Sequence, residues 1–143
     1  ATIAWARATA KVPVWLVGTS RGTQSAAYAA TVLQGADAPD GVVLTATILT
    51  DDKQRPVPAM PLEQIKVPVL VVHHQQDGCS HCAYSEIPNL MAKLTHTPRS
   101  HLITATGGKN QGDACAAFAY HGFNGLEADV VGQMADWILA PAR

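Results

Sequence analysis

Pro13-Val14-Trp15-Leu16-Val17-Gly18-Thr19-Ser20-Arg21-Gly22 is the stretch that decides the fold. Val14 to Val17 is apolar without alternation, the pattern of a strand buried on both faces of a parallel sheet, and it ends at Gly18. Directly after it stands Gly18-Thr19-Ser20-Arg21-Gly22, a G-x-S-x-G. A helix follows over Arg21 to Leu33, its Ala-rich part running from Gln24 to Val32 and its end marked by Gly35. A strand that turns sharply into a helix through this motif lifts the Ser20 hydroxyl above the strand end. The same turn aims the backbone N–H of Arg21 at the point where an oxyanion develops. The two glycines are expected to let strand and helix approach closely. The five-residue pattern is common by chance, and it is the strand before and the helix after that give it meaning.

The alternation continues outward in both directions. Ala1 to Ala10 reads as an Ala-rich helix. Gly41 to Leu49 and Val67 to His73 read as two more buried strands, and His101 to Thr104 as a short fourth. Between the second and third strands, the prolines of Thr50 to Met60 keep that stretch irregular, and Pro61 to Ile65 is at most one helical turn. Ser85 to Leu94 reads as a helix with Pro88 in its first turn, and Thr106 to Ala114 as a Gly-rich loop. In Leu126 to Leu139, residues Leu126, Val130, Val131, Met134, Trp137 and Ile138 share one helical face, the strongest amphipathic signal in the chain. This order implies an α/β fold, a three-layer sandwich around a mainly parallel sheet with right-handed crossovers. No repeat or flexible linker divides residues 1–143, so they read as a single domain. Trp5, Trp15 and Trp137 read as core.

Composition narrows the partners. The 143 residues are 48% hydrophobic, enough for a sizeable core, and only 15% charged with a formal net charge of -1, so no field is strong enough to recruit nucleic acid. No apolar run approaches the ~20 residues of a membrane span, and no leader is evident at the N-terminus. Three cysteines are too few for a disulfide-dense scaffold.

A serine hydroxyl becomes a nucleophile when a base takes its proton and an acid holds the base in one tautomer. Asp77 follows the third strand, on the sheet edge where Ser20 emerges, and His121 lies between the fourth strand and the last helix. Asp51 and Asp52, after the second strand, compete for the acid's role, whereas Asp113 reads as a solvated loop residue. His73-His74-Gln75-Gln76-Asp77-Gly78-Cys79-Ser80-His81-Cys82 has zinc-ligand chemistry, with His74, Cys79, His81 and Cys82 as the candidate set. Adjacent histidines ending a strand point to opposite faces, however, which argues against that set. His73 is expected in the core or behind the site and His74 toward the cleft. His96 and His101 read as surface residues.

In the order Ser20, Asp77, His121, carried by G-x-S-x-G, the strand-then-acid segment and a His before the last helix, the chain resembles the α/β-hydrolase fold family. The resemblance covers that family's second half, from the nucleophile turn to the final helix. It implies a serine hydrolase cleaving an ester or similar acyl bond of a small-molecule substrate. Ser20 is then the nucleophile, His121 the general base, Asp77 the orienting acid and the Arg21 N–H an oxyanion donor, with no metal and no cofactor. Arg21 itself would favour an anionic substrate group or pair with a nearby acid. Family members carry several strands and a second oxyanion loop before the nucleophile, while only nineteen residues precede Ser20 here. That departure suggests a fragment, or a sheet completed by a missing N-terminal segment or by a homo-oligomer through an exposed edge. The alternative function is accordingly a truncated, non-catalytic module that assembles through that edge. The short Thr50 to Gln64 insertion implies no large lid and an open cleft. The approach of Asp77 to His121 would bring Cys79 beside Cys115, predicting a disulfide that leaves Cys82 free or competing. Such a bridge points toward a periplasmic or secreted location.

Overall fold

The computed structural model describes residues 2–140. Its fold is α/β. Strands β1 (Trp15–Thr19), β2 (Gly41–Thr45), β3 (Val69–His74) and β4 (Ser100–Ala105) form an all-parallel sheet in sequential order. Helix α1 (Thr2–Ala10) precedes the strands, and α2 (Arg21–Val32), α3 (Ile87–Ala92) and α4 (Glu127–Leu139) lie between and after them. Residue 1 of the expected N-terminal helix lies outside the described residues.

Period-two alternation in the central strands divides the core into two layers. Val42, Leu44, Val69 and Val71 point to the face covered by Ala26, Ala27 and Ala30 of α2 and by Ile87 and Leu90 of α3. Val43, Leu70 and Val72 point to the other, covered by Phe123 and by Val130, Met134, Trp137 and Ile138 at α4. β2 and β3 are buried along their whole lengths, as strands between two helical layers must be. β1 differs: among the described residues it pairs only with β2, and Val17 is 55% exposed.

Several boundaries shift for local reasons. β1 runs on through Gly18 to Thr19, and Ser20 N–H donates to Thr45 O, so the ladder continues to the edge of the turn. The second strand stops at Thr45 rather than Leu49, because Ala46 takes a left-handed φ of 45° and leads the buried chain away from the sheet. β3 starts two residues late, after Pro68, which has no N–H to give the ladder. The helix expected over Ser85 to Leu94 splits into a 3-10 turn, Tyr84–Glu86, and α3, with Pro88 in the first turn of α3. Gly35 does not close α2, which ends at Val32; with φ +59° it opens a separate turn, Gly35–Asp37. Trp15 and Trp137 meet edge to face at 5.9 Å, with the Arg99 guanidinium 3.9 Å over Trp137. Trp5 (68% exposed) and Val131 (61%) lie outside the core, contrary to expectation.

Candidate functional site

The turn from β1 to α2 holds Ser20 at φ 51° and ψ −121°, a conformation that a non-glycine residue keeps only when its surroundings enforce it. Three bonds do so. Ser20 N–H donates to Thr45 O (3.0 Å), and Ser20 O accepts from Thr23 N–H (2.9 Å) and Thr23 Oγ1 (2.6 Å). The Thr19 and Thr45 hydroxyls join across the strands at 2.7 Å. Gly18 is required here, since a Cβ would fall 2.9 Å from Ala26 Cβ and press on the Gly22 carbonyl. Gly22 is not: a Cβ there meets no described atom within 4 Å. The close approach therefore depends on the first glycine alone.

Arg21 opens α2, so its N–H belongs to the first turn, where a helix has no internal acceptor. Its guanidinium reaches Asp51 and forms an ion pair. Asp51 is pushed down to about 2, first by that Arg21 bond and then by the backbone N–H of Lys53. The arginine's charge is thus taken up within the chain. Asp51 is turned toward Arg21 rather than toward a histidine, and Asp52 is exposed.

Asp77 ends the tight turn after β3, its N–H donating to His74 O. Its side chain is fully buried, with Oδ1 accepting from Cys79 N–H (2.9 Å) and Oδ2 from His121 Nδ1–H (2.9 Å). Because a carboxylate only accepts, the proton on His121 sits on Nδ1 and the lone pair on Nε2. His121 lies in the 3-10 turn Tyr120–Gly122, its side chain 4% exposed, and Nε2 has no hydrogen-bond partner among the described residues. Asp77 and His121, distant in sequence, are therefore brought together. Ser20 stands on the same C-terminal edge of the sheet, without a hydrogen bond to His121.

Both histidines that end β3 support this pair, and neither faces a cleft. His73 Nε2–H donates to Cys82 O (2.7 Å), and its Nδ1 accepts from Thr47 N–H (3.3 Å). Burial pushes its pKa down, so it stays neutral behind Asp77. His74 is fully buried rather than turned toward the cleft. It accepts from Gln76 N–H, donates to Gly107 O (2.9 Å) and stacks on Tyr120 at 4.3 Å, next to His121. The adjacent pair in the sequence signals opposite faces, but nothing in it announces the Tyr120 stack. Gly122 lets the His121 turn pack against the Ala117 backbone, where a Cβ would collide.

Cys79 and Cys115 form a disulfide with Cα atoms 4.6 Å apart, and Cys82 is a free buried thiol. Burial, and then the nearby Asp77 charge, push that thiol up to about 12. The zinc set His74, Cys79, His81 and Cys82 is not assembled: His74 is committed to Gln76 and Gly107, His81 Nδ1 binds Thr50 O, and Cys79 is in the disulfide. His96 and His101 are exposed, and Asp113 is an exposed loop residue whose carboxylate accepts from Cys115 N–H. An apolar groove of about 300 Å³ lies beside the open edge of β1, lined by Val17, Thr19, Phe123, Val130, Val131 and Met134. No helix among the described residues is long and apolar enough to cross a membrane. Set against protein-family models and curated proteins, the chain matches none.

Proposed function

We propose that this chain is a serine hydrolase of the α/β-hydrolase type, cleaving an ester or similar acyl bond with Ser20, His121 and Asp77. The observation that carries the reading is the buried Asp77–His121 hydrogen bond, which leaves His121 Nε2 as the basic nitrogen. The strained turn at Ser20 supports it, since such strain gathers where a side chain must be presented rather than packed.

In this reading substrate enters between Ser20 and His121, and Nε2 takes the Ser20 proton as Oγ attacks the carbonyl carbon. Resting geometry in such sites is often loose and tightens around substrate. The tetrahedral oxyanion accepts the Arg21 N–H, and an oxyanion donor of this kind contributes about 100-fold to 1000-fold in turnover. His121 then protonates the leaving group. Water enters, loses a proton to Nε2 and releases the acyl group. Asp77 stays ionised throughout and stabilises the imidazolium. The Arg21–Asp51 pair makes an anionic substrate group unnecessary for balancing that charge. The disulfide favours an oxidising compartment.

A p-nitrophenyl ester tests the chemistry. The expected result is a rapid burst of one nitrophenolate per chain before slower turnover, absent in Ser20→Ala; steady release equal in the variant would contradict the reading. A second reading, assembly without catalysis, is favoured by the open edge of β1 and the apolar groove beside it. It predicts a concentration-dependent dimer in sedimentation that Val17→Lys disrupts, and a monomer at all concentrations would rule it out.

A further inference from the structure

Cys82 has no part in the proposed reaction, yet it is fully buried beside the Asp77–His121 pair. The turn Cys79-Ser80-His81-Cys82, closed by Cys82 N–H donating to Cys79 O over 2.8 Å, carries it there. Cys79 Sγ, Cys82 Sγ and a ring nitrogen of His121 lie within 4.8 Å of one another, and all three residues are buried. Cys115 Sγ is bonded to Cys79 Sγ and so adjoins this group. In the sequence these residues form two pairs, Cys79-x2-Cys82 and Cys115-x5-His121. Paired ligands of this kind are how a tetrahedral zinc is usually held. Independently, His121 presents a buried ring nitrogen, Nε2, that has no hydrogen-bond partner among the described residues.

We propose that the chain, once its disulfide is reduced, binds one Zn2+ through Cys79, Cys82, Cys115 and His121. The disulfide and the metal are then alternative states of one cluster. Two molecules of a thiol reductant supply two electrons and two protons to the Cys79–Cys115 bond and leave as their own disulfide. Zn2+ next displaces one proton from each of the three thiols and takes a lone pair from the imidazole. Zn–S bonds of ~2.3 Å in a tetrahedron set the sulfurs ~3.8 Å apart. Cys79 and Cys82 need little movement for that, while Cys115 must draw back from Cys79, which its exposed loop allows. Three thiolates and an imidazole select zinc over magnesium or calcium. If the hydrolase reading holds, the metal also withdraws His121 from its role as base.

Cobalt reports on the site without reference to any hydrolysis, so its outcome is separate from that of the hydrolase reading. Protein reduced with a phosphine and freed of reductant under argon is titrated with Co2+. The expected spectrum has a thiolate-to-cobalt charge-transfer band and intense tetrahedral bands in the red, saturating at one equivalent and displaced by Zn2+. The disulfide form shows neither, and Cys82→Ser binds more than about 100-fold more weakly. A reduced chain with native circular dichroism and no charge-transfer band would overturn the proposal, as would equal affinity in Cys82→Ser. A reduced chain that loses its helical signal and does not regain it with cobalt contradicts it equally.

Discussion

His73 shows how a single residue shapes this site from behind. Its imidazole bridges Thr47 N–H and Cys82 O, a pattern that fixes the neutral Nε2–H tautomer. Burial pushes its pKa below the ordinary 6.5, more strongly than the Cys82 carbonyl and the Asp77 charge oppose. The unfolded chain therefore takes up this proton more readily than the folded one. The stability involved is fully present above about 6.5 and is lost as pH falls below it toward the lower folded value. The urea midpoint should be lower at pH 5.5 than at pH 7.5, and His73→Gln should shrink the difference; an unchanged difference in the variant would assign the acid sensitivity elsewhere. The pairing of Asp77 with His121 was legible in the sequence because strand ends and chain order are visible there. The stack of His74 on Tyr120 was not, since it depends on where the loop 106–119 returns.

At the scale of elements, the β1–α2 turn carries the sharpest test of what the two glycines do. Gly18→Ala forces a methyl against Ala26 and the Gly22 carbonyl and should cost about 1–3 kcal/mol. Gly22→Ala sits in α2 with open space around it and should gain about 0.5–1 kcal/mol. Guanidinium melts of both variants check the pair; equal effects would show that strand and helix do not touch as described. The four strands and the order of helices follow from their apolar runs and from α4's amphipathic face. Their ends do not, because Ala46's left-handed turn and Pro68's missing N–H act at single residues inside apolar runs that look continuous. Val131 belongs to the predicted apolar face of α4 but lies beside the open β1 edge, where described residues leave it 61% exposed.

For the whole molecule, the Cys79–Cys115 bridge ties the loop that carries Asp77 to the segment that carries His121 across 36 residues. Opening it by Cys79→Ala with Cys115→Ala should cost about 4 kcal/mol in the chain-entropy account, read as a shifted denaturation midpoint. A change below about 1 kcal/mol would mean that packing alone holds the loops together. This pairing was legible only through the approach of Asp77 to His121, since the spacing of three cysteines leaves the choice of partner open. The parallel sheet, its two helical layers and the placing of Ser20 and of the Asp77–His121 pair at its C-terminal edge were foreseeable from alternation of elements. The open edge of β1 among the described residues was expected from the departure from the family's pattern and not from the strand itself, because an apolar strand reads the same at an edge as at the centre. Whether Ser20, Asp77 and His121 act together is tested most directly by intact mass after incubation with a fluorophosphonate, without reductant, on the wild-type chain and on Ser20→Ala. The account predicts a single adduct on the wild type and none on the variant. A folded wild-type chain that gains no mass, or a Ser20→Ala chain that gains the same mass, would contradict it.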